Sequence, residues 1–285
     1  MNAANNASSP KYLAQLAVKA LLYEVSLPDK PGLVSPTGNP GHPDMDIFTF
    51  IDSALALQPY FEKLAQLGES FRTDSQEEDL PELFSAARKL GLDAEKDMLQ
   101  ATNGVNTHKG AIFSLGIAVV ATAYSGGSKL PDIQETIRKM LVNLSAQDFG
   151  KISRKDKKDL TAGEKQFAEY GLKGIRGEAE TGFPTVFNTA LPFLNQSQGE
   201  LKERLMDTFM RIVLVLPDSN LIKRAKSVEI LGWMQEQSAL YFKSENKQKF
   251  TKCLKDNMLK KNLSLGGTAD ILIVTVFFAL LKRTI

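Results

Sequence analysis

The sequence predicts an all-α protein, a single compact multi-helix domain with functional loops at helix N-termini, and three observations predict it. Apolar residues recur at spacings of three and four almost throughout. Alternating β-branched runs, the mark of strands, do not occur. Segments rich in glycine, proline and amide side chains fall where the apolar spacing restarts, which is where helices begin. No repeat of fixed period is present.

Residues 12–25 place Leu13, Leu16, Ala17, Ala20 and Leu21 on one face and read as the first helix. Residues 45–67 continue the spacing through Phe48, Ile51, Ser53, Leu55, Tyr60, Phe61 and Leu64, with Pro59 bending or breaking the stretch. Helices follow at 81–90, 94–101, 108–124, 131–144, 162–170, 184–195, 200–215, 228–242, 245–260 and 268–281. Residues 212–216 alone would pass for a strand, but Leu205, Phe209 and Val213 hold them to a helical face. Loops are expected at 68–79 and 125–129. Residues 151–159 carry Lys151, Arg154, Lys155, Lys157 and Lys158 and read as a solvated helix end or loop. Residues 1–10 are polar and uncharged and read as a disordered tail, leaving 11–285 as one helical catalytic domain.

Composition narrows the function. Of 285 residues, 43% are hydrophobic and 24% charged, the balance of a soluble globular chain. Lys plus Arg (35) against Asp plus Glu (33) leaves +2, which gives no bulk reason to bind nucleic acid or an anionic membrane. Cys253 is the one cysteine, so neither an intrachain disulfide nor a cysteine-based zinc site can form. A cytoplasmic location is expected. The start lacks the basic and apolar regions of a secretory signal. The most apolar stretch, 271–281, falls well short of the roughly 18 residues of a membrane span and reads as a buried helix.

Three segments carry chemistry. The first holds Lys30-Pro31-Gly32-Leu33-Val34 and then Gly41-His42-Pro43-Asp44-Met45-Asp46. Its prolines and glycines shape a loop that enters a helix at Pro43 or Asp44. Asp44 and Asp46 in that first turn fit either capping or a magnesium–phosphate site, since magnesium takes oxygen ligands from one or two carboxylates and substrate phosphates. The second is Thr102-Asn103-Gly104-Val105-Asn106-Thr107-His108-Lys109-Gly110-Ala111. Thr107 reads as the N-cap, and His108 and Lys109 then oppose the positive end of the helix dipole. An anion at that helix start removes the penalty. The third, 171–184, sets four glycines among Lys173, Arg176, Glu178 and Glu180 and reads as a flexible charged loop open to close backbone approach. Surface salt bridging would explain Lys173 and Glu180 equally well. Gly266-Gly267-Thr268-Ala269-Asp270 opens the last apolar helix, with Asp270 either a cap or a buried site carboxylate. Phosphate loops of the G-x-x-x-x-G-K type, dinucleotide-binding G-x-G-x-x-G after a strand, G-x-S-x-G elbows and H-E-x-x-H helices are absent.

Together these segments, with Asp218-Ser219-Asn220 and Arg224, resemble the triphosphoribosyl-dephospho-CoA synthase family in order and from about residue 20 onward. The stretch from Gly104 to Phe113 is its most specific part. The chain differs from the family pattern at Asn103, Ser219, Ala225 and Leu265. The resemblance implies that ATP gives its triphosphoribosyl group to the 2′-hydroxyl of 3′-dephospho-CoA and that adenine leaves. The product is the prosthetic-group precursor of the acyl carrier protein of citrate lyase or malonate decarboxylase. A second enzyme attaches it downstream. On this reading Lys30, His108, Lys109 and Arg176 bind phosphates. Asp44 and Asp46 hold magnesium with Glu178 or Glu180, and Glu178 or Asp270 is the base. Asn106, Asp218, Asn220 and Arg224 orient substrates, with Gly32, His42, Thr107, Gly266 and Gly267 completing the binding surface. The partners are ATP and 3′-dephospho-CoA, with no nucleic acid and no membrane; a homo-oligomer is compatible. The competing readings are a magnesium-dependent nucleotide hydrolase and a non-catalytic helical module that binds nucleotide or CoA.

Overall fold

The computed structural model describes residues 9–38, 41–74, 79–127, 129–150, 152 and 156–285. The chain runs through α1 (Pro10–Ser26), α2 (Ile47–Ala56), α3 (Gln58–Asp74), α4 (Leu80–Ala101), α5 (Lys109–Tyr124), α6 (Leu130–Met140), α7 (Leu144–Phe149), α8 (Ala162–Tyr170) and α9 (Gly174–Glu180). It continues through α10 (Leu191–Gln196), α11 (Leu201–Val213), α12 (Ser219–Ala225), α13 (Ile230–Lys243), α14 (Lys247–Lys260) and α15 (Gly266–Leu281). Among the described residues there is no strand, only an isolated bridge between Ser35 and Gly38. The expected all-α class holds. Residues 1–8 of the expected tail lie outside the described residues. Ser9 and Pro10 belong to α1: the Ser9 hydroxyl accepts from Tyr12 N–H, and Pro10 occupies the first turn, where its missing N–H costs nothing.

α5 and α15 are apolar on all sides, and they are buried on all sides. They pack on each other and on α1, and α3 covers α5. The α3–α5 contact is close because glycine faces it. A Cβ on Gly68 would run into the Val120 carbonyl oxygen and sit 3.0 Å from Tyr124 N. At the other end of the crossing, the Tyr60 hydroxyl reaches over Gly116 and donates to Ile112 O at 2.9 Å. α4 and α6 lie on one side of this centre, and α10, α11 and the π turn Thr185–Ala190 lie against α15.

Several boundaries differ from the sequence expectation, each for a local reason. Pro59 does break the second stretch: α2 ends at Ala56 and α3 begins at Gln58, with proline in its first turn. The two helices expected at 81–90 and 94–101 are one, α4, because Leu83, Phe84, Ala87, Ala94 and Met98 form a single buried face. That face outweighs the roughly 1 kcal/mol that glycine costs inside a helix. α3 runs to Asp74, into the expected 68–79 loop, of which residues 75–78 lie outside the described residues. The helix expected over 131–144 stops at Met140, and Asn143 (φ 62) turns the chain into α7. The expected 184–195 helix opens as a π turn just ahead of Pro192, which has no N–H to donate back into an α ladder. In the charge run, Lys151, Arg154 and Lys155 lie outside the described residues, and Lys157–Asp159 is a short 3₁₀ turn.

Candidate active site

A cleft of about 890 Å³ opens where the first turns of α5, α9, α12 and α15 meet the end of α1 and the loop that follows it. Five cations line it, Lys30, Lys109, Lys173, Lys223 and Arg224, together with five carboxylates, Glu24, Asp44, Glu178, Asp218 and Asp270, and both histidines. The starts of the two long helices α5 and α15 aim their positive ends at this space.

The floor is built from charged groups taken out of water. Lys30 is 1% exposed; its ammonium pairs with the Glu24 carboxylate and donates to Glu24 O at 2.6 Å. Burial holds the Lys30 amine below its usual range, against the pull of Glu24. Asp218 is the N-cap of α12 and also the lock on α15. One carboxylate oxygen accepts from Asn220 N–H (2.8 Å) and Leu221 N–H (3.1 Å). The other accepts from Thr268 N–H (2.7 Å) and the Thr268 hydroxyl (2.9 Å). Two glycines let these helix starts touch. A Cβ on Gly266 would lie 2.6 Å from Asn220 Nδ2, and one on Gly267 would lie 3.1 Å from Asp218 Oδ1.

Asp270 comes next on α15 and points at α5. A Cβ on Gly110 would stand 2.6 Å from its carboxyl carbon, so only hydrogen fits there. Burial pushes the Asp270 carboxyl well up, and the charges of Asp218 and Glu24 push it further. It makes no hydrogen bond with any described residue.

His108 closes the floor, 2% exposed. The Thr107 hydroxyl donates to Ser53 Oγ (2.7 Å), and Ser53 Oγ lies 2.7 Å from His108 Nδ1. Ser53 has a single proton. Receiving from Thr107, it donates to Nδ1, which leaves the ring hydrogen on Nε2. Nε2 is buried and has no hydrogen-bond partner among the described residues. Burial, with the Lys30 charge behind it, pushes the imidazole down to about 3, so it is a neutral donor.

The rim adds Asn106, whose Oδ1 accepts from Lys109 N–H at 3.3 Å, and Lys109, whose ammonium meets Glu95 at 2.7 Å. Arg224 donates to Asn262 Oδ1 at 2.7 Å. His42 bonds the Gly32 backbone; burial lowers its pKa first, and the Arg224 charge lowers it further. Glu178 accepts from Thr185 N–H at 2.7 Å, and burial pushes its carboxyl up.

Seven expectations are corrected by this geometry. Thr107 does not cap α5; its hydroxyl goes to Ser53, His108 holds the N-cap position without a side-chain bond to the helix, and Asn106 Oδ1 accepts from Lys109 N–H. His108 is not a protonated phosphate ligand but a buried neutral ring. Asp46 is outside the cleft: it caps α2 in a capping box with Thr49, at 2.9 Å from Thr49 N–H. The 171–184 stretch is not a loop throughout, and helix α9 turns Gly174, Gly177, Glu178 and Thr181 to the cleft at helical spacing. Arg176 therefore points elsewhere, to Asp148 at 2.6 Å. Glu180 is likewise taken, by Ser145 N–H at 3.2 Å, the Ser145 hydroxyl, and Lys173 at 3.3 Å. Gly32 is not in the lining; its φ of 67 and a would-be Cβ 2.7 Å from Met258 Cε make it a turn residue.

Sequence reasoning also passed over Glu24, Lys223 and Ser53. Glu24 carried a signal, since it continues the apolar stripe Leu13, Leu16, Ala17, Ala20 and Leu21 with a carboxylate. Lys223 sits on α12, which the apolar spacing did not reveal.

The three-carboxylate magnesium set is not assembled. Among the described residues no three His, Cys, Asp or Glu side chains converge to hold a metal. Magnesium carried by a triphosphate needs less, one or two carboxylates with phosphate oxygens completing its shell, and Asp44 and Glu178 line the cleft.

The model of the CitG family, described as ATP:dephospho-CoA triphosphoribosyl transferase, matches residues 10–285. The chain belongs to this family. It is 46% identical over 275 residues to a protein of Lactiplantibacillus plantarum named a probable 2-(5''-triphosphoribosyl)-3'-dephosphocoenzyme-A synthase, covering 95% of this chain and 97% of that one. It is 49% identical over 272 residues to protein CitXG of Leuconostoc mesenteroides subsp. cremoris, covering 92% of this chain but 57% of that longer protein. A probable synthase of the same name from Streptococcus equi subsp. equi is 38% identical over 295 residues, with 95% and 97% covered. No solved structure matches the chain.

The departures from the family pattern are absorbed locally. Asn103 holds φ 53, a left-handed conformation that asparagine tolerates. Ser219 opens α12, and its carbonyl accepts from Gln166 at 2.8 Å. Ala225 ends α12, and Lys226 takes the left-handed turn after it. Leu265 is buried at the N-cap of α15.

Proposed function

We propose that this chain transfers the triphosphoribosyl group of ATP to the 2′-hydroxyl of 3′-dephospho-CoA, with residues 11–285 acting as one catalytic unit. The observation that carries the reading is Asp270: a half-buried carboxyl with no hydrogen bond to any described residue, on the floor of a cleft that cations and two long helix starts make receptive to phosphates. In the reaction the acceptor oxygen bonds to the ribose anomeric carbon as the bond to adenine breaks. The proton of the hydroxyl leaves for a base, and the departing adenine takes up a proton. Glu178 is already engaged by Thr185 N–H, so the base is Asp270, whose carboxylate burial and the neighbouring charges of Asp218 and Glu24 make a stronger proton acceptor than a free one. Glu24 and Asp218, beside Asp270, place negative charge near a ribosyl group that gains positive charge in the transition state. Lys30, Lys109, Lys173, Lys223 and Arg224 bind the phosphates of the two substrates. His108 offers its neutral Nε2–H to an acceptor atom of bound nucleotide. Asn106 and Asn220 orient the ribose hydroxyls. Magnesium arriving with ATP would be held by Asp44 and Glu178, and it would offset triphosphate charge. The product serves as the prosthetic-group precursor of an acyl carrier protein, in keeping with the citrate-lyase or malonate-decarboxylase setting.

The test is to incubate the protein with ATP, magnesium and dephospho-CoA and to follow free adenine and product mass. Adenine with a product heavier by one triphosphoribosyl unit is expected. Adenine released equally well without dephospho-CoA would make the protein a hydrolase instead, and tight nucleotide binding with no release would make it a binding module.

A further inference from the structure

Beside the cleft lies a second pocket, of about 370 Å³, between α4, α5 and α9. The two share Lys109, Gly110 and Ile175, so they are neighbours across a single threshold. Their chemistry is unlike. The second pocket is walled by Tyr60, Phe84, Ile112, Phe113, Ile117 and Ile175, and its charged groups are paired with one another. Arg88 binds Asp148 through two nitrogens (2.9 and 3.2 Å), and Arg176 binds the same carboxylate (2.6 Å). Lys109 pairs with Glu95 at the threshold, and the Tyr60 hydroxyl is spent on Ile112 O. Arg176 spends only Nε on the Asp148 carboxylate, so its terminal nitrogens remain donors for an amide carbonyl but supply no donor–acceptor pair to read the edge of a base. Nor is there a slot for one: Phe84 and Phe113 meet edge to face (83°), and Arg88 stands over the Phe84 ring.

Such a pocket suits an uncharged, flexible, largely aliphatic chain joined to a charged group at the threshold. The acceptor of the proposed reaction has that build. Its adenosine must enter the polar cleft to present the 2′-hydroxyl. Its diphosphate follows, and an uncharged pantetheine arm with a gem-dimethyl centre extends beyond.

We propose that this second pocket takes the pantetheine arm of dephospho-CoA, with Lys109 at the threshold facing the diphosphate. The inference rests on the proposed reaction for the identity of the acceptor. It makes the α4–α5–α9 pocket the place where acceptor length is sensed.

Gly91 provides the test. It lines the pocket from α4, and a Cβ there meets only Tyr60 Oη at 3.5 Å and Ile112 Cγ2 at 3.7 Å, ordinary contact distances. Gly91→Leu therefore grows a side chain into the pocket, and leucine is the better helix former. Adenine release is measured with dephospho-CoA and with ADP, which is the same acceptor without its arm. For the variant, kcat/KM with dephospho-CoA should fall about tenfold or more, while the value with ADP and the KM for ATP stay within about twofold. Phe113→Ala, which hollows the pocket, should show the same split. Equal losses with both acceptors, no loss with either, or a raised KM for ATP would each overturn the inference. A second readout does not depend on turnover: pantetheine alone is titrated by calorimetry into the wild type and Gly91→Leu. It should bind the wild type, be displaced by dephospho-CoA, and fail with the variant. Absence of pantetheine binding to the wild type rejects the pocket assignment even where transfer proceeds. Pantetheine binding without any adenine release would reject the reaction and leave the pocket standing.

Discussion

Asp270 brings stability and chemistry into conflict at one atom. With Asp218 and Glu24 near it, ionising Asp270 adds charge to a buried acidic group, so its folded-state pKa lies above the unfolded value. The protonated carboxyl then contributes stability at low pH that is lost as the pH rises through the folded pKa. We expect Asp270→Asn to cut adenine release by about a hundredfold or more, while its melting temperature equals wild type in acid and exceeds it increasingly toward neutral pH. Thermal melts across that range check the sign, and a gap that narrows as the pH rises would refute it. His108 runs the other way: held to about 3, it excludes a proton that the unfolded chain accepts below about pH 6.5. Its imidazole NMR signals should therefore not titrate from pH ~8 to ~5. The chain has two histidines, which makes the assignment short work. Asp44 and Asp46 separate cleanly. Asp46→Ala should lower the melting temperature by roughly 2–4 °C and keep turnover. Asp44→Ala should keep the melting temperature and lose turnover at limiting magnesium. In the sequence both sat in one helix turn, and nothing in residue type distinguished the cap from the cleft residue; only the start of α2 at Ile47 does.

At the scale of elements, the helices that carry the core were legible because each has a buried face of four or more apolar residues at regular spacing, as in α1 and α11. α9 and α12 were not. Each is seven residues long, too short to show a period, and each is held by partners distant in sequence. α12 hangs on Asp218 and on Gln166 from α8, and the end of α9 is held by Arg138 from α6, whose Nε donates to Thr181 O at 3.1 Å. The glycines report close contact between elements in the same way. Gly68→Ala should destabilise the protein by about 1–3 kcal/mol, because the rigid Val120 carbonyl stands where the methyl would go. Gly232→Ala in α13 meets nothing within 4 Å and should stabilise by about 0.5–1 kcal/mol. Urea midpoints of the two variants give the comparison, and shifts of the same sign would count against the packing argument.

Across the whole molecule, the cleft is assembled from α1, α5, α9, α12 and α15, so its occupant touches helices drawn from most of the chain. ATP that binds only the folded state adds about 2.7 kcal/mol of stability at a hundred times its Kd. We expect ATP to raise the melting temperature, and hydrogen exchange to slow at the starts of α5 and α15 together. Protection confined to one of them would show that the nucleotide does not bridge the two. The charge balance seen in the sequence is resolved here into opposed local groups: the net +2 conceals five cations and five carboxylates facing one space.

The lock between Asp218 and Thr268 has a temporal consequence. α5 leaves the ribosome long before α15, yet the two cover each other and jointly frame the floor of the cleft. Until α15 is synthesised, α5 has an apolar flank without its cover and Asp218 lacks two of its four donors. A nascent chain paused before Gly266 is therefore sticky and unable to grip nucleotide. Messenger damage in that last stretch should yield chaperone clients and protease substrates rather than weakly active enzyme.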